Sequence, residues 1–288
     1  MINQANKLQN LVSKEQKKQK TTHFIAITSG KGGVGKSTIS ANLGNILANN
    51  GYKVGLFDAD IGLANLDVIL NVKMNKNLLN VLKGECSLSD IIIPVKKNLV
   101  LIPGDSGDEI LKYNDHFLYD RFLGEVSDLD YLDFLIIDTG AGIGDHIQVF
   151  LQASDEVIVV TVPDPAAITD AYATIKVTSK IKNDLLMIIN MAKDEKEAIK
   201  IFENIQKVAL NNITNLNLSM LGYIQNDKNV AKSIKQRTLF TQDVPFGVSS
   251  SEIKQMASKL LYRLERKVLV DDGRRSISNF FKQLMDQF

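Results

Sequence analysis

The chain has 288 residues, 44% of them apolar and 23% charged, enough to bury a large core without covalent staples. Its 34 basic and 33 acidic side chains leave a net charge of +1, so contact with nucleic acid or a membrane has to come from a local patch, not the whole surface. Cys86 is the only cysteine, which excludes an intrachain disulfide, and no apolar run reaches the roughly 18 residues of a membrane span; a cytoplasmic protein is expected.

Residues 1–22 form a polar tail without the apolar stretch of a secretion signal. Ala5, Leu8, Leu11 and Val12 make a short helical stripe, and Lys14, Lys17, Lys18 and Lys20 follow. The segment reads either as a short helix on a basic tether or as a disordered tail. From His23 the pattern is regular. Apolar runs at Phe24–Ile27, Val54–Phe57, Leu99–Ile102, Phe134–Ile137, Val157–Val160, Leu185–Ile189 and Met220–Ile224 read as strands buried on both faces. Helical patterns lie between them at Lys36–Asn49, Ala166–Ser179, Lys193–Asn211 and Ser250–Arg266, the last with Ser249 and Glu252 spaced as a capping box. Strands and helices in alternation predict one α/β domain over residues 23–266: a doubly wound, mostly parallel sheet flanked by helices.

Gly30-Lys31-Gly32-Gly33-Val34-Gly35-Lys36-Ser37 fits G-x-x-x-x-G-K-[ST], directly after a strand and at the start of a helix. Glycines let the loop turn its backbone N–H groups toward phosphate oxygens, and the helix adds its positive end. Lys36 is placed to reach the β- and γ-phosphates, Ser37 to ligate Mg²⁺, and Thr38 to complete the loop. Asp138 ends an apolar strand as a Walker B aspartate does, and Asp58 ends another, at the side of a parallel sheet where ligands bind.

The second lysine narrows the class. Lys-Gly-Gly-Val-Gly-Lys-Ser resembles the deviant P-loop of the MinD/ParA family of ATPases. The resemblance implies a MinD-like P-loop fold, ATP and Mg²⁺ as cofactors, and an ATP-dependent homodimer in which Lys31 reaches the partner's nucleotide. Asp58-Ala59-Asp60-Ile61-Gly62-Leu63-Ala64-Asn65-Leu66-Asp67 is similar to the family's first switch, and Thr139-Gly140-Ala141-Gly142 to its second. By the same resemblance Asp58 lies near the Mg²⁺ shell, Asp138 holds the ion through a water, and Asp60 positions the attacking water. Asn190 corresponds to an adenine-contacting asparagine. Asp227 closes a segment where Gln225 replaces the family's usual proline.

Both ends resemble one group in that family, the FlhG (FleN, YlxH) regulators of flagellar number. Asn3-Gln4-Ala5-Asn6-Lys7-Leu8-Gln9 is similar to their D-Q-A-x-x-L-R motif, matching at Gln4, Ala5 and Leu8. The implied partners are the flagellar GTPase FlhF and rotor-switch (C-ring) proteins. Residues 267–288 read as a linker and an amphipathic helix with Ile277, Phe280, Phe281, Leu284, Met285 and Phe288 on one face. Such a face suits either a membrane interface or the domain core. The resemblance implies the first, with the protein peripheral on the inner cell membrane when ATP is bound. A MinD-like division-site regulator and a DNA-partitioning ParA share much of this pattern, although direct nucleic-acid binding is not expected here. An iron–sulfur carrier of the superfamily would need paired cysteines.

Overall fold

The computed structural model describes residues 22–60, 65–104, 122–268 and 276–285. In chain order the elements are β1 (His23–Ser29), α1 (Lys36–Asn49), β2 (Val54–Ala59), α2 (Leu66–Leu70), α3 (Leu78–Leu82), β3 (Ile93–Lys96), β4 (Leu99–Pro103), β5 (Phe134–Ala141), α4 (Asp145–Ala153), β6 (Glu156–Thr161), α5 (Pro165–Thr178), β7 (Asp184–Ala192), α6 (Glu195–Asn212), β8 (Asn217–Gln225), α7 (Lys228–Gln236), α8 (Phe240–Asp243), α9 (Val248–Val268) and α10 (Ile277–Met285). One eight-stranded sheet runs β3-β4-β2-β5-β1-β6-β7-β8. Among the described strands only β3 is antiparallel to its neighbour.

The seven apolar runs became the seven parallel strands. Alternate residues of each run enter opposite cores, which is why the runs are continuous. In β1, Ile25 and Ile27 pack beneath α1 and α9, while Phe24 and Ala26 face the other side. In β5, Phe134 and Ile136 take the first side and Leu135 and Ile137 the second. The second side is shared by α3 and α10 at one end and by α4, α5 and α6 at the other. Asp164, Asp194 and Asp227 cap α5, α6 and α7 through their carboxylates.

The structure differs from the sequence expectations at two places. The Ile93–Lys96 strand was not anticipated: with Pro94 in four residues it lacks a continuous apolar run, and as an edge strand it can tolerate the proline. Ser249 and Glu252 do not form a capping box. Both lie inside a helix that begins at Val248, where Ser249 donates to Asp227 at 3.3 Å and Glu252 accepts the Gln225 N–H at 3.0 Å.

The terminal helix, whose apolar face suits either a membrane interface or the domain core, is docked in this conformation. Ile277, Phe280, Phe281 and Leu284 are buried in the domain core, at 0%, 2%, 3% and 5% exposure. Phe280 stacks on Phe24 with centroids 4.5 Å apart, and Phe281 meets Phe57 and Phe122 edge-on at 5.8 and 5.3 Å. The physical reason is complementarity: β1 and β2 present aromatic side chains that need cover, and the four α10 side chains gain about 1.5–3 kcal/mol each by supplying it. The Ile277 N–H donates to Asp130 at 2.9 Å, which fixes the helix start. The side chains of Met285 and Phe288, and the tail motif Gln4, Ala5 and Leu8, lie outside the described residues.

Candidate nucleotide site

β1 delivers the glycine-rich loop to the crevice at the carboxyl end of the sheet, and α1 starts on its far side. Two glycines there are obligatory. A Cβ on Gly30 would strike the Asp170 backbone carbonyl of α5, and Gly35 has φ +94° with the Asn190 amide where a Cβ would stand. Lys31, Gly32 and Gly33 form the exposed rim of the loop, while Val34 and Lys36 are buried.

Lys36 is the buried cation of the site. Its Nζ donates to Ser29 Oγ at 3.1 Å, and Ser29 in turn donates to the Lys31 carbonyl at 2.7 Å. Burial lowers its pKa, against the pull of Asp138 and Asp60. A lysine held this way gains from a phosphate anion both charge balance and hydrogen bonds.

Strand order brings together two aspartates that are 80 positions apart. β2 and β5 are neighbours, with Asp58 in register with Asp138. Asp138 is 1% exposed and accepts the Ser40 hydroxyl at 3.1 Å. Ser37 also donates to it, so the loop serine and both carboxylates meet at one place. Asp58 accepts the backbone N–H groups of Asp60 at 3.3 Å and Leu66 at 3.1 Å. Burial pushes Asp138 up to about 7 and Asp58 up to about 6; the Asp58 charge adds to the rise at Asp138, and the Asp60 charge to that at Asp58. Two hard carboxylates and a hydroxyl fit Mg²⁺, which usually takes one or two carboxylates and completes its shell with phosphate oxygens and water. The residues present therefore suit Mg-nucleotide: Lys36 and the loop for phosphates, and Ser37, Asp58 and Asp138 for the ion.

This arrangement has a measurable cost without ligand. A carboxyl whose pKa rises on folding contributes stability below its ordinary value of 3.8 and loses it as pH climbs through the folded value. For Asp58 and Asp138 that window runs from about pH 4 to about pH 7. The nucleotide-free wild type is expected to lose about 3–8 °C of Tm relative to Asp138→Asn between these limits. Identical pH profiles for the two proteins, by calorimetry, would show that Asp138 is not held neutral by burial.

Asp60 is half-buried beside the second switch, and a Cβ on Gly140 would meet its Oδ1. Burial raises its pKa, and Lys36 and His146 pull it down. The second switch is tied to β1: the Gly142 N–H donates to the Ser29 carbonyl at 2.8 Å, and Thr139 to Ile27 at 3.1 Å. Lys31 sits at the rim, where its Nζ pairs with Asp164 Oδ1 at 3.0 Å. His146, Ser40 and Asp164 were missed by sequence reasoning. Only Asp164 had a local signal, the Asp-Pro that opens α5.

The proposed base contacts are divided. Asn190 donates to the Val34 carbonyl at 2.8 Å, so it braces the phosphate loop directly. Asp227 accepts the Asn229 N–H at 2.8 Å and the Ser249 hydroxyl, and the structure thus gives it a capping role. The ends of β7 and β8 run side by side, Ala192 against Gln225, which puts both residues at the same end of the sheet. Gln225 uses the N–H that a proline would lack to bind Glu252. Residues 61–64 of the first switch lie outside the described residues.

Comparison with known proteins agrees with this geometry. The family described as ParA, NUBPL iron-transfer P-loop NTPase, matches residues 20–261. The flagellum site-determining protein YlxH of Helicobacter pylori is 49% identical over 99% of both chains. The antiactivator FleN of Pseudomonas aeruginosa is 34% identical, covering 82% of this chain and 85% of its own. Among solved structures, the septum site-determining protein MinD complexed with Mg-ADP from Pyrococcus horikoshii superposes with a TM-score of 0.65 at 26% identity, over 83% of this chain and 96% of that one. A phosphate loop with two lysines, carboxylates paired across β2 and β5, a family match over residues 20–261 and a relative alike over 99% of its length place the chain in the MinD/ParA family of P-loop ATPases, with YlxH and FleN as kin.

Proposed function

We propose that this chain is an ATPase switch that dimerises around ATP and sets flagellar number and placement. The observation that supports it best is the match to YlxH over 99% of both chains, which takes in the tail and the terminal helix as well as the nucleotide site. Mg-ATP, when bound, supplies the phosphoryl group and the charge around which two protomers close. Lys36 holds phosphate charge within its own chain. Asp60 orients water toward it, positioning being the larger share of catalysis when the transition state is loose. Lys31 crosses to the partner's nucleotide and places positive charge where negative charge develops.

In the single chain Lys31 is engaged by Asp164, 3.0 Å away. Both groups are roughly half exposed, so the pair is weak and readily exchanged for phosphate. Asp164→Asn keeps a good helix cap but frees Lys31. Two such pairs break per dimer, so this variant is expected to tighten ATP-dependent dimerisation about 2–10-fold in sedimentation equilibrium. A weaker dimer would mean that Asp164 positions Lys31 for its crossing.

The ATP-dependent part of membrane association rests on α10 leaving its place against Phe24 and Phe57. Release into water forfeits the burial of four large side chains, about 6–12 kcal/mol in all. Release into a lipid interface restores most of that burial, so undocking and insertion are coupled. No helix among the described residues is long and apolar enough to cross a membrane. The tail, through Gln4, Ala5 and Leu8, is the part proposed to stimulate the GTPase FlhF, with rotor-switch proteins as further partners.

Deletion of residues 2–12 in the bacterium of origin tests the flagellar reading. Supernumerary or misplaced flagella and an unstimulated FlhF GTPase are expected. Normal flagellation with a normal GTPase rate would sink the proposal, and capture of division inhibitors instead would point to a septum-site regulator.

A further inference from the structure

We propose that α7, with the loop that leads into α9, is a docking face for an anionic phospholipid surface, separate from α10. Three observations meet there. Lys228, Lys232 and Lys235 recur at i, i+4 and i+7 on α7, all exposed, and Arg237 follows at its end. The helix turns Ser233 inward at 2% exposure, so the lysine stripe lies on its outer side. No acidic residue interleaves with them in Lys-Asn-Val-Ala-Lys-Ser-Ile-Lys-Gln, and like charges at this spacing repel. The nearest aspartates are engaged: Asp227 caps the helix and Asp243 accepts the Thr238 hydroxyl.

The second observation is apolar. Phe246 is 93% exposed and Val248 54% exposed. Lys254 lies over the Phe246 ring at 5.4 Å. Ser249 bonds the Asp227 cap, which brings this loop alongside the first turn of α7. A lysine stripe with an aromatic side chain in water beside it is the composition that binds lipid headgroups and inserts shallowly among the acyl chains. Duplex DNA would use the cations but gives an isolated phenylalanine and valine nothing to enter.

The third observation is location. Val230 packs α7 on the sheet face covered by α1 and α9, whereas α10 covers the opposite face. Contact through α7 therefore does not need the release of α10.

The test is flotation of the full, nucleotide-free chain with vesicles. Wild type is expected to float with phosphatidylcholine vesicles containing one-third phosphatidylglycerol, and not with phosphatidylcholine alone. Lys232→Gln with Lys235→Gln should lower partitioning about 25-fold, each cation near an anionic leaflet being worth about fivefold. Phe246→Ser should lower it about tenfold. Unchanged ATP binding checks that the variants fold. The proposal is overturned if wild type does not float, if it floats equally with neutral vesicles, or if the lysine variant floats like wild type. Lysine-dependent binding to a mixed-sequence duplex with no flotation would assign the face to nucleic acid.

Discussion

Lys36→Ala is expected to weaken ATP binding at least about 100-fold, measured by calorimetric titration with Mg²⁺ present. The ammonium is buried, tied to Ser29 at 3.1 Å, and near Asp138 and Asp60. It is thus a cation already stripped of most of its water, and each charge-assisted bond it makes to phosphate is worth about 1.5–3 kcal/mol. Its loss also leaves Asp138 and Asp60 facing the phosphates without compensation. An affinity within about threefold of wild type would mean that Lys36 does not touch the nucleotide.

The second large effect belongs to Asp60. Asp60→Ala should lower turnover at least about 100-fold while leaving ATP affinity nearly unchanged, and ATP should then hold it as a dimer on size-exclusion chromatography. The carboxylate sits between the phosphate side, marked by Lys36, and the second switch, marked by Gly140 and His146. In the proposed mechanism it orients water without holding the nucleotide. Asp60→Asn keeps one acceptor oxygen and should fall between the two. Wild-type turnover in Asp60→Ala would remove Asp60 from the hydrolytic machinery.

The nucleotide loop was legible because its chemistry is contiguous: eight successive residues carry it, between a strand and a helix. The parallel strands were legible because burial on both faces writes itself as an unbroken apolar run. Asp58 and Asp138 could each be read as strand ends, but their pairing depends on β2 lying next to β5, and strand order is a tertiary fact. Asp164 and His146 act across loops, beyond any spacing rule. The terminal helix shows the limit most clearly. A face of Ile277, Phe280, Phe281 and Leu284 is equally suited to lipid and to core. What decides its place in this conformation is the side chains opposite, Phe24, Phe57 and Phe122, which come from three distant parts of the chain.

Sedimentation velocity of the full chain with Mg²⁺ and either ADP or a slowly hydrolysed ATP analogue is the most direct measurement of the nucleotide sandwich. A dimer with the analogue, a monomer with ADP, and a Lys31→Ala variant that binds the analogue yet stays monomeric are the results expected. A monomeric boundary for wild type with saturating analogue, or a Lys31→Ala dimer as stable as wild type, would contradict a nucleotide pocket completed by a lysine from a second copy.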